Sequence, residues 1–169
     1  MKRLAVSVRQ PEASLLLAGY TQYHARAWTT NVRGPVLIHA AEAANEQLAW
    51  ILAREDVKRA FRLAGIPLFA SPAEMPCKQI VGVATLVDTV TAGSLFDPSL
   101  MRPVREADAV LGNLARADAV LWKFTRPAYR PTGVSQRGGP GLWEVEDPYG
   151  ETACHTSPRS TSRSSPSPP

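Results

Sequence analysis

A histidine and an arginine two positions apart, His24 and Arg26, offer the most direct chemistry in this sequence. They lie in the segment GYTQYHARAW, and if it is extended, side chains two apart project from one face. An imidazole moves protons near neutral pH and a guanidinium holds phosphate, so the pair suits binding or cleavage of a phosphodiester. The competing interpretation is a structural histidine, because no second acid or base is forced nearby, although Glu74, Asp88 and His39 are available.

The arginines and a tryptophan around this segment are also suited to binding without catalysis. Arg26 and Arg33 each offer a planar fork to phosphate or carboxylate. Trp28, flanked by Arg26 and two threonines, is the best candidate to stack on a base. The alternative is that the arginines form internal ion pairs, with Glu12 or Asp88 as partners.

Positive charge is concentrated in two blocks that are distant in the sequence. Residues 1–40 carry five bases and one acid and residues 122–139 carry four bases and no acid, whereas residues 41–121 carry eight bases and ten acids. If folding joins the blocks, they form a positive surface for an anion such as a phosphate backbone. The alternative is a set of scattered, solvated arginines. The bases assigned to the surface are Arg9, Arg26, Arg33, Lys123, Arg126, Arg130 and Arg137.

The hydrophobic pattern predicts several strands with helices between them. A short helix begins at Pro11 and ends at Gly19, and Gln10 and Ser14 near its N-terminus are expected to add polar contacts to an anion. The remaining predicted helices are 42–64, as one helix or two with a break near Asp56, and 104–115. The predicted strands are 4–8, 35–40, 78–91, 119–124 and 142–145. Gly82 within 78–91 predicts a bulge or a close approach of the backbone.

These elements predict an α+β domain that is either compact or a partly open barrel decorated by helices. With 169 residues, 44% of them hydrophobic, the chain suits one domain, residues 1–150. Residues 151–169 are rich in serine, proline and arginine and are predicted to be a disordered tail.

Cysteine content and hydropathy exclude several classes of protein. The two cysteines, Cys77 and Cys154, have no partner at metal-binding spacing, so the sequence indicates neither a zinc site nor a disulfide framework. We also expect no other metal and no cofactor. No apolar run near the start is long enough to span a membrane, and no signal-peptide pattern follows Met1. We therefore expect a cytoplasmic protein without a membrane partner.

Four fragments in order give the chain a family resemblance. SVRQPEASLLLAG, RAWTTNVRGPVLIHA, QIVGVATLVDTV, and WKFTRP with GGPGLWEVE resemble the ASCH domain of the PUA-like superfamily over most of residues 4–146. The resemblance implies a small mixed β-barrel with helices packed around it. It also implies a cleft that receives nucleic acid or a modified base.

The family signature, G-x-K-x-x-E-x-R, falls on Gly19, Thr21, His24 and Arg26, and only the glycine and the arginine match. A threonine replaces the glutamate in the branch that resembles acetylcytidine amidohydrolases. The missing lysine is the group that family enzymes would use to activate a nucleophile, and Thr21 cannot act as a base. Amidohydrolase chemistry is therefore not expected from this motif, and Thr21 is assigned to binding.

The leading hypothesis is a nucleic-acid-binding protein with a basic cleft, for RNA rather than DNA or for a modified nucleotide. The first alternative is a hydrolase on the same scaffold, a ribonuclease or a modified-nucleoside amidohydrolase with His24 as the catalytic residue. The second alternative is a binder of a small anionic metabolite.

Overall fold

The structure is a computed structural model that describes residues 1–42, 45–91 and 119–150. The predicted helix at 104–115 and the predicted tail at 151–169 lie outside these residues. The longest described helix has 10 residues, and none of the described helices is long and apolar enough to cross a membrane.

Six strands form where the sequence alternates or runs apolar. All five predicted strands are present, and the segment between Gly19 and Trp28 contributes a sixth, short one. The strands are β1 (Lys2–Arg9), β2 (Tyr23–Arg26), β3 (Gly34–Ala41), β4 (Gln79–Thr91), β5 (Val120–Ser135) and β6 (Leu142–Glu146).

The helices are short and lie between the strands. α1 spans Glu12–Leu17, α2 spans Asn45–Ala53, α3 spans Glu55–Ala64, and a 3-10 turn spans Pro72–Glu74. The pattern at 42–64 thus forms two helices, separated at Arg54, whose extended backbone precedes α3. α3 ends at Gly65 because its left-handed φ of 68° is a conformation that glycine adopts at no steric cost.

The strands form one mixed sheet in the order β2-β5-β4-β3-β1-β6. β1 and β3 are parallel, and the other neighbouring pairs are antiparallel. The predicted α+β class is therefore confirmed.

The mixed β-barrel that the resemblance implied is not formed, because the sheet does not close. In the described part of the chain β2 and β6 are its two edges, and no strand ladder joins them. The sheet still curls: Arg26 on β2 donates a hydrogen bond from Nη2 to the main-chain carbonyl of Ser7 on β1. β2 has only four residues and its ladder runs along β5, so a side chain spans the opening that a closed barrel would fill with main-chain pairs.

Because side chains alternate along each strand, buried apolar residues lie on both faces of the sheet. Val6 and Val8 lie in a cluster with residues of α1, whereas Ala5 and Leu37 belong to a cluster on the other face with Trp143. α2 and α3 pack around Leu15 of α1 in a third cluster.

β5 extends 11 residues beyond the predicted end at Phe124, to Ser135, despite two prolines. Beyond Lys123 the strand pairs with β4 but no longer with β2. A missing N–H is tolerated where only one edge of a strand is paired, so Pro127 does not end the strand.

Gly82 on β4 lies where two strands and α1 approach closely. The pairing of β4 with β5 shifts register between Ile80 and Gly82. This irregularity confirms the bulge or close approach predicted at this glycine. A Cβ atom here would lie 2.5 Å from the carbonyl oxygen of Ala128 and 2.8 Å from Cδ2 of Leu17.

We predict that Gly82→Ala lowers the free energy of unfolding by about 1–3 kcal/mol, since the strand carbonyl cannot give way. In an unobstructed strand the same change raises stability by about 0.5–1 kcal/mol. Urea denaturation measures the difference, and an unchanged or higher midpoint would contradict the close approach.

Candidate functional site

His24 and Glu12 form an imidazole–carboxylate pair between β2 and α1. Glu12 is the first residue of α1, and its Oε2 lies 2.9 Å from Nδ1 of His24. The distance is that of an ion pair, but the angles are not those of a hydrogen bond. His24 is 8% exposed, so only a small part of its ring is open to a ligand.

Arg26 is held by internal contacts. Besides the bond to the Ser7 carbonyl, its guanidinium carbon lies 5.6 Å from the centroid of the Trp122 ring. Burial removes water from the guanidinium and lowers the pKa of Arg26, and the charge of Glu12 opposes this in part. The arginine that matches the family signature therefore joins the edge strand β2 to β1, the strand next to the opposite edge.

Trp28 also contacts Trp122. Its carbonyl accepts a 3.1 Å hydrogen bond from Nε1 of the fully buried Trp122, and the two rings meet edge to face at 4.6 Å. Trp28 remains 38% exposed, which leaves part of its ring open to a ligand.

Gln10 and Ser14 are buried and bonded to each other. The Gln10 amide oxygen accepts from the Ser14 amide at 3.2 Å and from its hydroxyl at 3.0 Å, and Nε2 donates to the Pro76 carbonyl at 2.8 Å. Both side chains therefore hold α1 against the segment before β4. Ser14 also lies in the wall of a cavity, but its hydroxyl is bonded to Gln10.

Arg33 and Lys123, one from each basic block, both lie near Asp88 in the fold. Nη2 of Arg33 is 3.7 Å from Oδ1 of Asp88, and Lys123 is the cross-strand partner of Asp88 on β5. Nζ of Lys123 lies 5.9 Å from the centre of the Tyr23 ring. One residue of each basic block is thus a neighbour of Asp88, Arg33 through its side chain and Lys123 through strand pairing.

Two neighbouring cavities open between α1 and β5. The larger, about 710 Å³, is lined by Tyr129 of β5 together with Ser14, Phe69 and Gln79. The smaller, about 180 Å³, is lined by residues that include Gly19, Thr21, Gln22, Arg126 and Pro127. We call Arg126, Tyr129 and the residues between them the β5 rim.

The remaining predicted bases lie elsewhere. Arg130 lies against the Tyr149 ring, 5.4 Å from its centre. Arg137 lines a cavity with Ser7, and Arg9 lines another with Arg54. None of these four cavities is lined by two of the seven predicted bases.

The sequence left two contributors out of the candidate site. Glu12 was considered as a partner for Arg26 but not for His24, since the distance from α1 to β2 depends on how the helix packs. Tyr129 lies inside the basic block next to Arg130, and its position there was the available signal. Within residues 1–42, 45–91 and 119–150, no three His, Cys, Asp or Glu side chains cluster as metal ligands would.

We predict that Arg26→Ala lowers the free energy of unfolding by about 1–3 kcal/mol, because it removes a hydrogen bond and a cation–π contact across the sheet opening. Arg59→Ala, on the exposed side of α3, is the matched control and should stay within about 0.5 kcal/mol of wild type. Equal effects of the two changes in chemical denaturation would contradict the role of Arg26.

No protein-family model and no curated protein sequence matches this chain. Among solved structures, a serine-to-alanine mutant of ZmASCH from Zymomonas mobilis is 12% identical, with a TM-score of 0.47 over 85% of this chain and 87% of that one. A tyrosine-to-phenylalanine mutant of the same protein is also 12% identical, with a TM-score of 0.44 over 85% and 89%. These solved structures are of an ASCH protein, the family that the sequence resembles.

Proposed function

We propose that this protein binds single-stranded nucleic acid, RNA rather than DNA, along the β5 rim. The observation that carries the proposal is the position of Arg126 and Tyr129, three residues apart on β5. Arg126 borders the smaller cavity and Tyr129 borders the larger one. One supplies a cation for phosphate and the other an aromatic ring for a base.

The larger cavity is suited to a nucleobase. Its volume of about 710 Å³ lies in the range of small-molecule sites, about 300–1,000 Å³. Tyr129 is 49% exposed, which leaves its ring open to stacking, and Phe69 adds a second aromatic wall. Gln79 carries both a donor and an acceptor for a base edge.

The smaller cavity is suited to a phosphate. Arg126 is exposed at its edge, beside Thr21 and Gln22, which carry groups that can bond a phosphate oxygen. Residues 119–143 contain no aspartate or glutamate, so the β5 rim has a local excess of positive charge. Glu74 lines the larger cavity, but its carboxylate accepts from the Ala70 amide at 3.1 Å.

We predict micromolar or tighter binding of single-stranded RNA that weakens steeply with salt, because each phosphate contact releases counterions. Arg126→Ala should weaken binding and reduce the slope of log K against log salt by about 0.7, the value for one contact on a single strand. Tyr129→Ala should cost about 1–3 kcal/mol of affinity and leave the slope unchanged.

Fluorescence anisotropy with labelled oligomers measures both effects. Arg59→Ala, which removes one positive charge outside the β5 rim, is the control. The matching DNA oligomer tests the preference for RNA. Binding indifferent to salt, or no binding at low salt, would refute the proposal. Competition by a free mononucleotide as strong as by the oligomer would favour the small anionic ligand instead.

A second candidate function, hydrolysis of RNA or of a modified nucleoside, is favoured by the 2.9 Å contact between Glu12 and His24. A carboxylate beside an imidazole can orient the ring for proton transfer. The sequence alone had not assigned His24 such a partner.

If His24 is a general acid or base, His24→Ala should lower kcat by about 10²–10⁴-fold without weakening RNA binding. Glu12→Gln, which keeps the shape and removes the charge, should lower kcat less. RNA cleavage is followed on gels and acyl release from N-acylated nucleosides by chromatography. Turnover that is equal in wild type and His24→Ala removes His24 from any mechanism.

A further inference from the structure

A serine and a histidine lie in contact on the face of the sheet that is opposite to α1. Ser7 on β1 and His39 on β3 are register partners, and Oγ of Ser7 lies 3.2 Å from Nδ1 of His39. Nε2 of His39 lies 2.9 Å from the carbonyl oxygen of Gln136. Because a carbonyl only accepts, Nε2 carries the ring proton, and Nδ1 is the bare nitrogen that faces the Ser7 hydroxyl.

The imidazole is held in this orientation. His39 is 3% exposed, its ring meets the Trp143 ring edge to face at 5.7 Å, and a Cβ atom at Gly138 would lie 2.7 Å from its Cε1. Burial lowers the pKa of His39 below its ordinary value of 6.5, more than the Gln136 bond raises it. The ring is therefore neutral at pH 7.

Ser7 and His39 line an open cavity of about 530 Å³ that also contains Lys78, Arg137 and Glu42. Nζ of Lys78 lies 2.8 Å from Oε1 of Glu42, so these two charges offset each other. Arg137 is left as one positive charge in excess. This cavity lies apart from the β5 rim, which borders α1.

We propose that Ser7 is the nucleophile of a second, hydrolytic site that takes acyl groups from small anionic esters, with His39 as its base. Ser7 Oγ attacks the carbonyl carbon and its proton passes to Nδ1 of His39. The tetrahedral intermediate then expels the alcohol, which takes that proton, and leaves an ester on Ser7. Water attacks this ester, gives a proton to Nδ1, and the acid leaves as Oγ is reprotonated.

Ser7 has a second acceptor, the Gly139 carbonyl at 3.3 Å. A purely structural role would be a hydrogen bond that ties β1 to β3 and to the segment before β6. Such a role predicts an unreactive hydroxyl, so reactivity at Ser7 separates the two.

The test is covalent labelling of the full chain by a fluorophosphonate probe, in which Oγ displaces fluoride at phosphorus. Peptide mass spectrometry locates the adduct. We expect labelling at Ser7, its loss in Ser7→Ala, and its retention in Ser135→Ala, a serine of the same cavity. His39→Gln should slow labelling by about 10²-fold or more.

A second test measures how the labelling rate of the wild-type protein depends on pH, so it does not depend on whether a variant folds. Since the base must be neutral, the rate should rise with pH to a plateau with a midpoint below 6.5, the ordinary pKa of histidine. An absence of adduct on Ser7, or equal rates at Ser7 and Ser135, would overturn the proposal. RNA binding in the same samples reports separately on the β5 rim.

The substrate class is tested with a pair of activated esters that differ by one terminal carboxylate. The anionic ester should have the lower KM, and Arg137→Ala should raise that KM without changing the KM of the neutral ester. Equal KM values for both esters in wild type would reject an anionic substrate while leaving the labelling result to decide the nucleophile.

Discussion

The bond from the Arg26 guanidinium to the Ser7 carbonyl is the contact on which the shape of the sheet depends. It joins the edge strand β2 to β1, four strands away in the sheet order, and the Trp122 ring packs against the same guanidinium. A side-chain bridge of this kind curls an open sheet without a closed strand ladder. It also places a positive charge in a half-buried position, where desolvation must be offset by the carbonyl, the ring and the nearby Glu12 charge.

The bridge has a consequence for function, because it occupies residues that a motif would assign to a ligand. Gln10 and Ser14 are likewise bonded to each other in the interior. An exposed arginine and an exposed tyrosine lie instead on the β5 rim, where they border two cavities. Polar motif residues thus hold the scaffold, while a neighbouring strand carries the surface that we propose for binding.

The two buried histidines of the described chain differ in their partners, and their chemistry should differ with them. His24 faces a carboxylate, with Oε2 of Glu12 at 2.9 Å from its Nδ1. His39 donates to a carbonyl and faces a hydroxyl, and its burial favours the neutral ring. The partner of one ring is therefore an anion, and the partners of the other are neutral groups. The two sites lie on different faces of one sheet.

Local sequence alone determined five of the six strands, the short helix after Pro11, the end of α3 at Gly65 and the close approach at Gly82, since periodicity, capping and glycine act over a few residues. It did not determine that β5 continues past Pro127, because that depends on which of its edges is paired. Nor could it determine the open sheet, the Glu12–His24 contact or the Ser7–His39 register. Those join positions 12 and 32 residues apart, or distant strands, whose separation is decided by packing rather than by any nearby residue type.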